Sequence, residues 1–164
     1  MAERIHAYCW PLGRTFTFAE WCAYLREHPG SSEEPVATLG NGWKFNIHGC
    51  CINREQAVEV KGAEGDYVRL RLCQEWRDHT GADRTLVWDI CADMSVGTWG
   101  YCGGCAPDTR LEDRDAAVVA ALRWCRARLR DMQERSGEPY TSRYATMLAG
   151  VEAELEDKMQ LKLF

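Results

Sequence analysis

The last third of the chain carries two apolar stripes with helical spacing, separated by Ser136-Gly137. In each stripe, apolar residues recur every three or four positions, which places them on one face of an α-helix. The first stripe comprises Val118, Leu122, Cys125, Leu129 and Met132, widened by Ala117, Ala121 and Trp124. The second comprises Tyr144, Met147, Leu148, Val151 and Leu155. So short a break between two long helices predicts an antiparallel helix hairpin.

Charges along the two segments are consistent with a hairpin. The first helix carries three arginines outside its stripe, and the second carries three glutamates: Arg123, Arg126 and Arg130, and Glu152, Glu154 and Glu156. Antiparallel packing would bring the two sets together as opposite-charge neighbours. We therefore interpret the arginines as matched within the protein rather than as a phosphate-binding face.

The middle of the chain shows the two-residue alternation of β-strands. The alternating apolar sets are Trp43, Phe45 and Ile47; Val68, Leu70 and Leu72; and Leu86, Trp88 and Ile90. A weaker strand covers about residues 56–61. Arg69 and Arg71 fall opposite the second set, so we predict an antiparallel meander with one solvated face.

The N-terminal part predicts a strand over residues 3–10 and a short helix. Thr17-Phe18-Ala19-Glu20 is a capping-box sequence, and Phe16 and Trp21 are placed to form a hydrophobic staple. His28-Pro29-Gly30 should end the helix. The fold class is therefore α+β: an antiparallel sheet with a short N-terminal helix and a C-terminal two-helix hairpin packed on it. We expect one domain over residues 1–158 and a separate peptide motif at 159–164.

Composition and charge argue against several classes of function. The net charge is −5 and the pI about 5.4, so no global positive field favours nucleic acid. No segment resembles a signal peptide or reaches the length of a membrane span. Nine cysteines without an export signal suggest reduced thiols in a cytoplasm. We expect a cytoplasmic protein that contacts neither membrane nor nucleic acid directly.

Catalytic motifs are missing from the sequence. It has no phosphate-binding G-x-x-x-x-G-K-[ST] loop, no H-E-x-x-H and no G-x-S-x-G. Asp78-His79 lies in a polar turn, where a solvated histidine is the commoner explanation. We therefore predict a protein that is not an enzyme and needs no cofactor.

Residues 99–107 predict a glycine-rich loop before the first long helix, whose start is indicated by a Thr109/Glu112 capping box. The loop holds Cys102-x-x-Cys105, half of a tetrahedral zinc site. His48, Cys50 and Cys51 are possible completing ligands, although their spacing is not that of a second pair. We expect ordinary thiols here, and keep a zinc-binding module as the alternative.

Trp99 and Tyr101 lie in the same predicted loop. Aromatic side chains offer a large contact area for few rotatable bonds and are common interface anchors. They equally suit a role in closing the end of the sheet. We retain them as a possible second interface.

The segment Gln160-Leu161-Lys162-Leu163-Phe164 follows the point where the second apolar stripe ends. Three large apolar side chains there have no helical stripe to continue. Q-L-x-L-F resembles the pentapeptide by which many bacterial polymerases and repair factors dock on the sliding clamp. The resemblance covers only these five residues. It implies that Leu161, Leu163 and Phe164 fill a hydrophobic groove, that Gln160 makes hydrogen bonds, and that Lys162 occupies a variable position.

The resemblance predicts a non-enzymatic accessory factor that is recruited to a bacterial clamp or competes with polymerases for it. Two other interpretations stay open. In one, the tail packs on the protein's own surface. In the other, the protein is a phage- or plasmid-type inhibitor of a host protein, for example of a defence system, and acts through its folded surface.

Overall fold

The computed structural model describes residues 5–9, 13–29, 34–39, 41–77, 83–105, 107–138 and 140–160. Its strands are β1 (Ile5–Cys9), β2 (Arg14–Thr17), β3 (Ala37–Thr38), β4 (Lys44–Phe45), β5 (Glu55–Lys61), β6 (Tyr67–Trp76), β7 (Leu86–Val96) and β8 (Trp99–Gly104). Its α-helices are α1 (Phe18–Glu27), α2 (Arg114–Arg135) and α3 (Tyr140–Gln160). Short 3₁₀ helices cover Ala63–Gly65 and Pro107–Thr109.

The chain divides into two compact units: residues 1–54 with 73–86, and residues 55–72 with 87–164. The expected division into one domain (1–158) and a peptide motif (159–164) stays a prediction. The predicted α+β class is confirmed. Strands β5 to β8 form one four-stranded sheet in chain order, and the β5–β6 and β7–β8 pairs are antiparallel.

The first unit contains the short helix α1, which begins as the sequence predicts. The Thr17 N–H donates to Glu20 Oε2 at 2.8 Å, and the Glu20 N–H donates to Thr17 Oγ1 at 3.3 Å, completing the capping box. The rings of Phe16 and Trp21 meet edge to face, with centroids 5.3 Å apart. This staple fixes the angle at which the chain enters the helix.

The second unit encloses the larger core. Strands β5 to β8 supply alternate side chains, and α2 and α3 pack against each other and against the sheet. All five residues predicted for the inward stripe of α3 are buried: Tyr144, Met147, Leu148, Val151 and Leu155. The α2 stripe is buried from Val118 to Leu129, with Met132 partly buried. The predicted hairpin is confirmed.

Arg143 of α3 ties that helix to the turn before β6. Its Nε donates to Asp66 Oδ2 at 2.8 Å, its Nη2 donates to Asp66 Oδ1, and its Nη1 donates to Glu64 Oε2 at 2.7 Å. The Asp66 side chain is only 4% exposed, and its Oδ1 also accepts the Gly97 N–H at 3.0 Å. The hydrogen bonds from Arg143 lower the pKa of Asp66, because they stabilise the charged carboxylate.

Four local expectations are wrong. Residues 99–104 form strand β8 rather than a loop, because Gly97 turns the chain and Trp99–Gly104 then pairs with Cys91–Val96. The Thr109/Glu112 box does not open α2. Instead, the Asp113 carboxylate accepts the Ala116 N–H at 2.6 Å, so the helix starts about a turn later.

The other two wrong expectations concern strands β4 and β7. The expected strand from Trp43 to Ile47 is only Lys44–Phe45, since the buried Asn46 side chain accepts the N–H groups of His48 and Cys50 and holds a turn. In β7 the alternation shifts near its start. Leu86 is exposed, although it was expected to share a face with the buried Ile90.

Replacing Gly150 with alanine is expected to destabilise the protein by about 1–2 kcal/mol. A Cβ at Gly150 of α3 would lie 2.4 Å from Cγ1 of Val60 on β5. In an open helix the same change would stabilise by about 1 kcal/mol, so the contact decides the sign. Urea unfolding of Gly150→Ala, Val60→Ala and the double variant measures it. If Gly150 and Val60 are in close approach, the double variant should lose less unfolding free energy than the two single variants lose together. A loss equal to their sum would contradict the close approach.

Candidate protein-binding site

The predicted binding segment begins where the buried stripe of α3 ends. Leu155 is the last buried residue of the helix, and Lys158 is half-buried. Met159 is 49% exposed, and Gln160, the last residue of α3, is also exposed. The apolar stripe thus ends at the position predicted from the sequence.

Of the residues carried by the motif, the structure describes Gln160 only. Leu161, Leu163 and Phe164, with Lys162 between them, lie outside the described residues. Gln160 presents an exposed side chain at the helix end, where its amide is accessible to a partner.

Sequence reasoning missed Met159. This side chain borders two neighbouring surface clefts on the α2–α3 pair. One is lined by Leu111, Ala116, Val119, Ala120, Arg123 and Met159. The other is lined by Arg123, Arg126, Glu152, Leu155, Glu156 and Met159. The signal was the four-residue spacing from Leu155 to Met159, which places an exposed apolar side chain on the same side of the helix, one turn beyond the end of the buried stripe.

Charges around the second cleft are mixed in sign. Arg130 Nη2 lies 2.6 Å from Glu152 Oε1, an ion pair of the kind expected from the sequence. Both side chains are about half exposed, so this pair adds at most about 1 kcal/mol to stability. Arginines and glutamates alternate along this surface, which therefore lacks the single-sign field typical of a phosphate-binding site.

Trp99 and Tyr101 lie on β8 and pack against the large core, both half-buried. The Tyr101 ring is 5.2 Å from that of Trp124 on α2, and its hydroxyl donates to the Gly104 carbonyl. Burial raises the pKa of Tyr101. Both residues belong to β8, an edge strand of the four-stranded sheet, and their use as a second interface stays a prediction.

The candidate zinc ligands are placed as follows. Cys102 is exposed on β8, and Cys105 is half-buried, where burial raises the pKa of its thiol. His48 and Cys50 are exposed in the first unit, where the His48 ring lies 5.5 Å from that of Trp21. Within the described parts of the chain, no three His, Cys, Asp or Glu groups gather as a metal site.

Comparison with models of protein families, with curated proteins and with solved structures found no match. Among the described residues, no helix combines the length and apolarity that crossing a membrane requires.

Proposed function

We propose that this chain is a cytoplasmic, non-enzymatic binding protein that docks on a bacterial sliding clamp through Gln160, Leu161, Leu163 and Phe164. The observation that carries the proposal is the Q-L-x-L-F pattern, which begins at the last residue of α3, one turn beyond the last buried position of that helix. Docking would recruit the protein to replicating DNA or exclude polymerases from the same groove.

The proposed role of each residue in the pentapeptide follows from how short peptides bind. A few apolar anchors desolvate in a preformed pocket, and one polar group sets the register. Leu161, Leu163 and Phe164 are the anchors, and the Gln160 amide supplies both a donor and an acceptor. With a net charge of −5, the protein would reach DNA through its partner rather than by direct contact.

Titration of a purified bacterial sliding clamp with the parent chain and with the Leu163→Ala/Phe164→Ala variant tests the proposal. Each anchor that fills a pocket should contribute at least about 1 kcal/mol, so the Kd should rise about thirtyfold or more. Lys162→Ala is the matched control, because it changes the same peptide at the position that the motif leaves variable. Its Kd should stay close to that of the parent.

Two results would contradict the proposal: the absence of binding by the parent chain, and equal binding by the parent and the double variant. The second result would favour attachment through the folded surface, as the inhibitor interpretation requires. Urea unfolding of the variants, which we expect to match that of the parent, separates lost binding from lost folding.

A further inference from the structure

Cys51 and Cys73 form a pair of adjacent thiols in the first unit. Cys51 follows the turn held by Asn46, and Cys73 lies on β6. Both are buried in one small apolar cluster with Phe45, packed by Leu39, Trp43 and Trp76. Their side chains are hydrogen-bonded to each other. The residues are 22 positions apart in the sequence, so only the fold brings the sulfurs together.

The turn that carries Cys51 is held firmly. Phe45 and Cys51 form an antiparallel bridge, and the Ile52 N–H donates to the Lys44 carbonyl at 2.9 Å. The Asn53 side chain accepts the Lys44 N–H at 2.7 Å and the Cys51 thiol at 3.4 Å. These contacts fix the backbone around Cys51 within the cluster that also holds Cys73, and a disulfide requires the two sulfurs to approach to about 2.0 Å.

Cys51 is the more reactive member of the pair. The hydrogen bond with Cys73 is the main cause that lowers the pKa of Cys51 to about 7, with the Asn53 backbone and the positive charge of Arg54 acting in the same direction. Burial and the negative charge of Glu75 oppose this shift. The thiolate is the nucleophilic form of cysteine, so the lowered pKa favours attack by Cys51.

Two other described thiols have pKa values that are raised rather than lowered. Burial raises the pKa of Cys125 to about 12 and also raises that of Cys105, so both stay protonated. The exposures of Cys51 and Cys73 also differ: Cys51 is 8% exposed and Cys73 0%. A small oxidant would therefore reach Cys51 first.

We propose that Cys51 and Cys73 are a peroxide-sensitive dithiol that closes to an intramolecular disulfide. The Cys51 sulfur attacks one oxygen of hydrogen peroxide, the O–O bond breaks, and a sulfenic acid forms while the leaving hydroxide becomes water. The Cys73 sulfur then attacks the sulfenic sulfur, the S–O bond breaks, and the S–S bond forms. The second hydroxide leaves with the Cys73 proton as water. The two sulfurs together lose two electrons, which reduce one peroxide to two waters.

The test is to treat the reduced full-length chain with dilute hydrogen peroxide, block the remaining thiols with N-ethylmaleimide, and map a tryptic digest without reduction. We expect a cross-link between the peptides of residues 45–54 and 72–77. Cys50 shares the first peptide, so the mapping is repeated on Cys50→Ser, which should give the same cross-link. In Cys73→Ala the cross-link should be absent, and Cys51 should oxidise more slowly because the main cause of its lowered pKa is removed.

The mapping on the parent chain decides the question even if the Cys73 variant does not fold. Full maleimide labelling of both residues after peroxide treatment would overturn the proposal. So would a disulfide that joins Cys51 to any cysteine other than Cys73, or a cross-link that disappears in Cys50→Ser.

Discussion

Replacing Arg143 with alanine is expected to lower the free energy of unfolding by about 3 kcal/mol. The change removes the guanidinium that makes two hydrogen bonds to Asp66, and Asp66 is 4% exposed. Its carboxylate would keep only the Gly97 N–H as a described donor. A buried charge that loses its partner destabilises far more than an exposed ion pair contributes.

Arg130→Ala is the matched control, because it removes an arginine from the exposed pair with Glu152. Its effect should stay below about 1 kcal/mol. Urea unfolding at pH 7 measures both variants. Equal, small effects would show that the Asp66 pair does not hold α3 to the sheet.

The pair of Asp66 and Arg143 also predicts how the free energy of unfolding depends on pH. Because the native pKa of Asp66 is lowered, its contribution is present above the unfolded-state pKa of about 3.9 and is lost as the pH falls through the native pKa. Between pH 5 and the acid limit, we expect the stability of the parent to fall more steeply than that of Arg143→Ala. Parallel curves would contradict the assignment.

Replacing Gly97 with alanine is expected to destabilise the protein by about 2–4 kcal/mol, through two separate effects. Gly97 has φ +61°, where a Cβ is strained. A Cβ there would also lie 2.5 Å from Cδ1 of Tyr140, whose ring packs against the core at the start of α3. Accommodating the Cβ would require this ring to shift from its place against the core.

Gly65→Ala separates the two effects. Gly65 has φ +82° and no atom within 4 Å of the Cβ position, so this variant should show only the backbone strain, about 1–2 kcal/mol. The difference in unfolding free energy between the two variants reports the Tyr140 contact. Equal destabilisation by Gly97→Ala and Gly65→Ala would show that the Tyr140 contact does not contribute.

The helix hairpin could be predicted because its information is local and repeated. Each of Val118, Leu122 and Leu129 occupies the same face of α2, so an error at one position leaves the pattern intact. Strand β8 was missed for the opposite reason. Its glycines suggest a loop when read alone, and only pairing with β7 makes Trp99 to Gly104 a strand.

Contacts between residues that are distant in sequence could not be predicted either. Asp66 and Arg143 are 77 positions apart, and neither residue shows a pattern that points to the other. The same holds for Cys51, which the sequence offered only as a candidate zinc ligand, and Cys73. The proposed docking segment, residues 160–164, is the reverse case, since its residues are adjacent and the motif is visible without the fold.

The central claim is that the pentapeptide itself holds the protein on its partner. The most direct measurement is a competition experiment in which a synthetic peptide of residues 156–164 is added to the complex of the full chain with a bacterial sliding clamp. We predict complete displacement of the full chain, and none by the same peptide carrying Leu163→Ala and Phe164→Ala. A complex that persists with the unaltered peptide in large excess would contradict the claim.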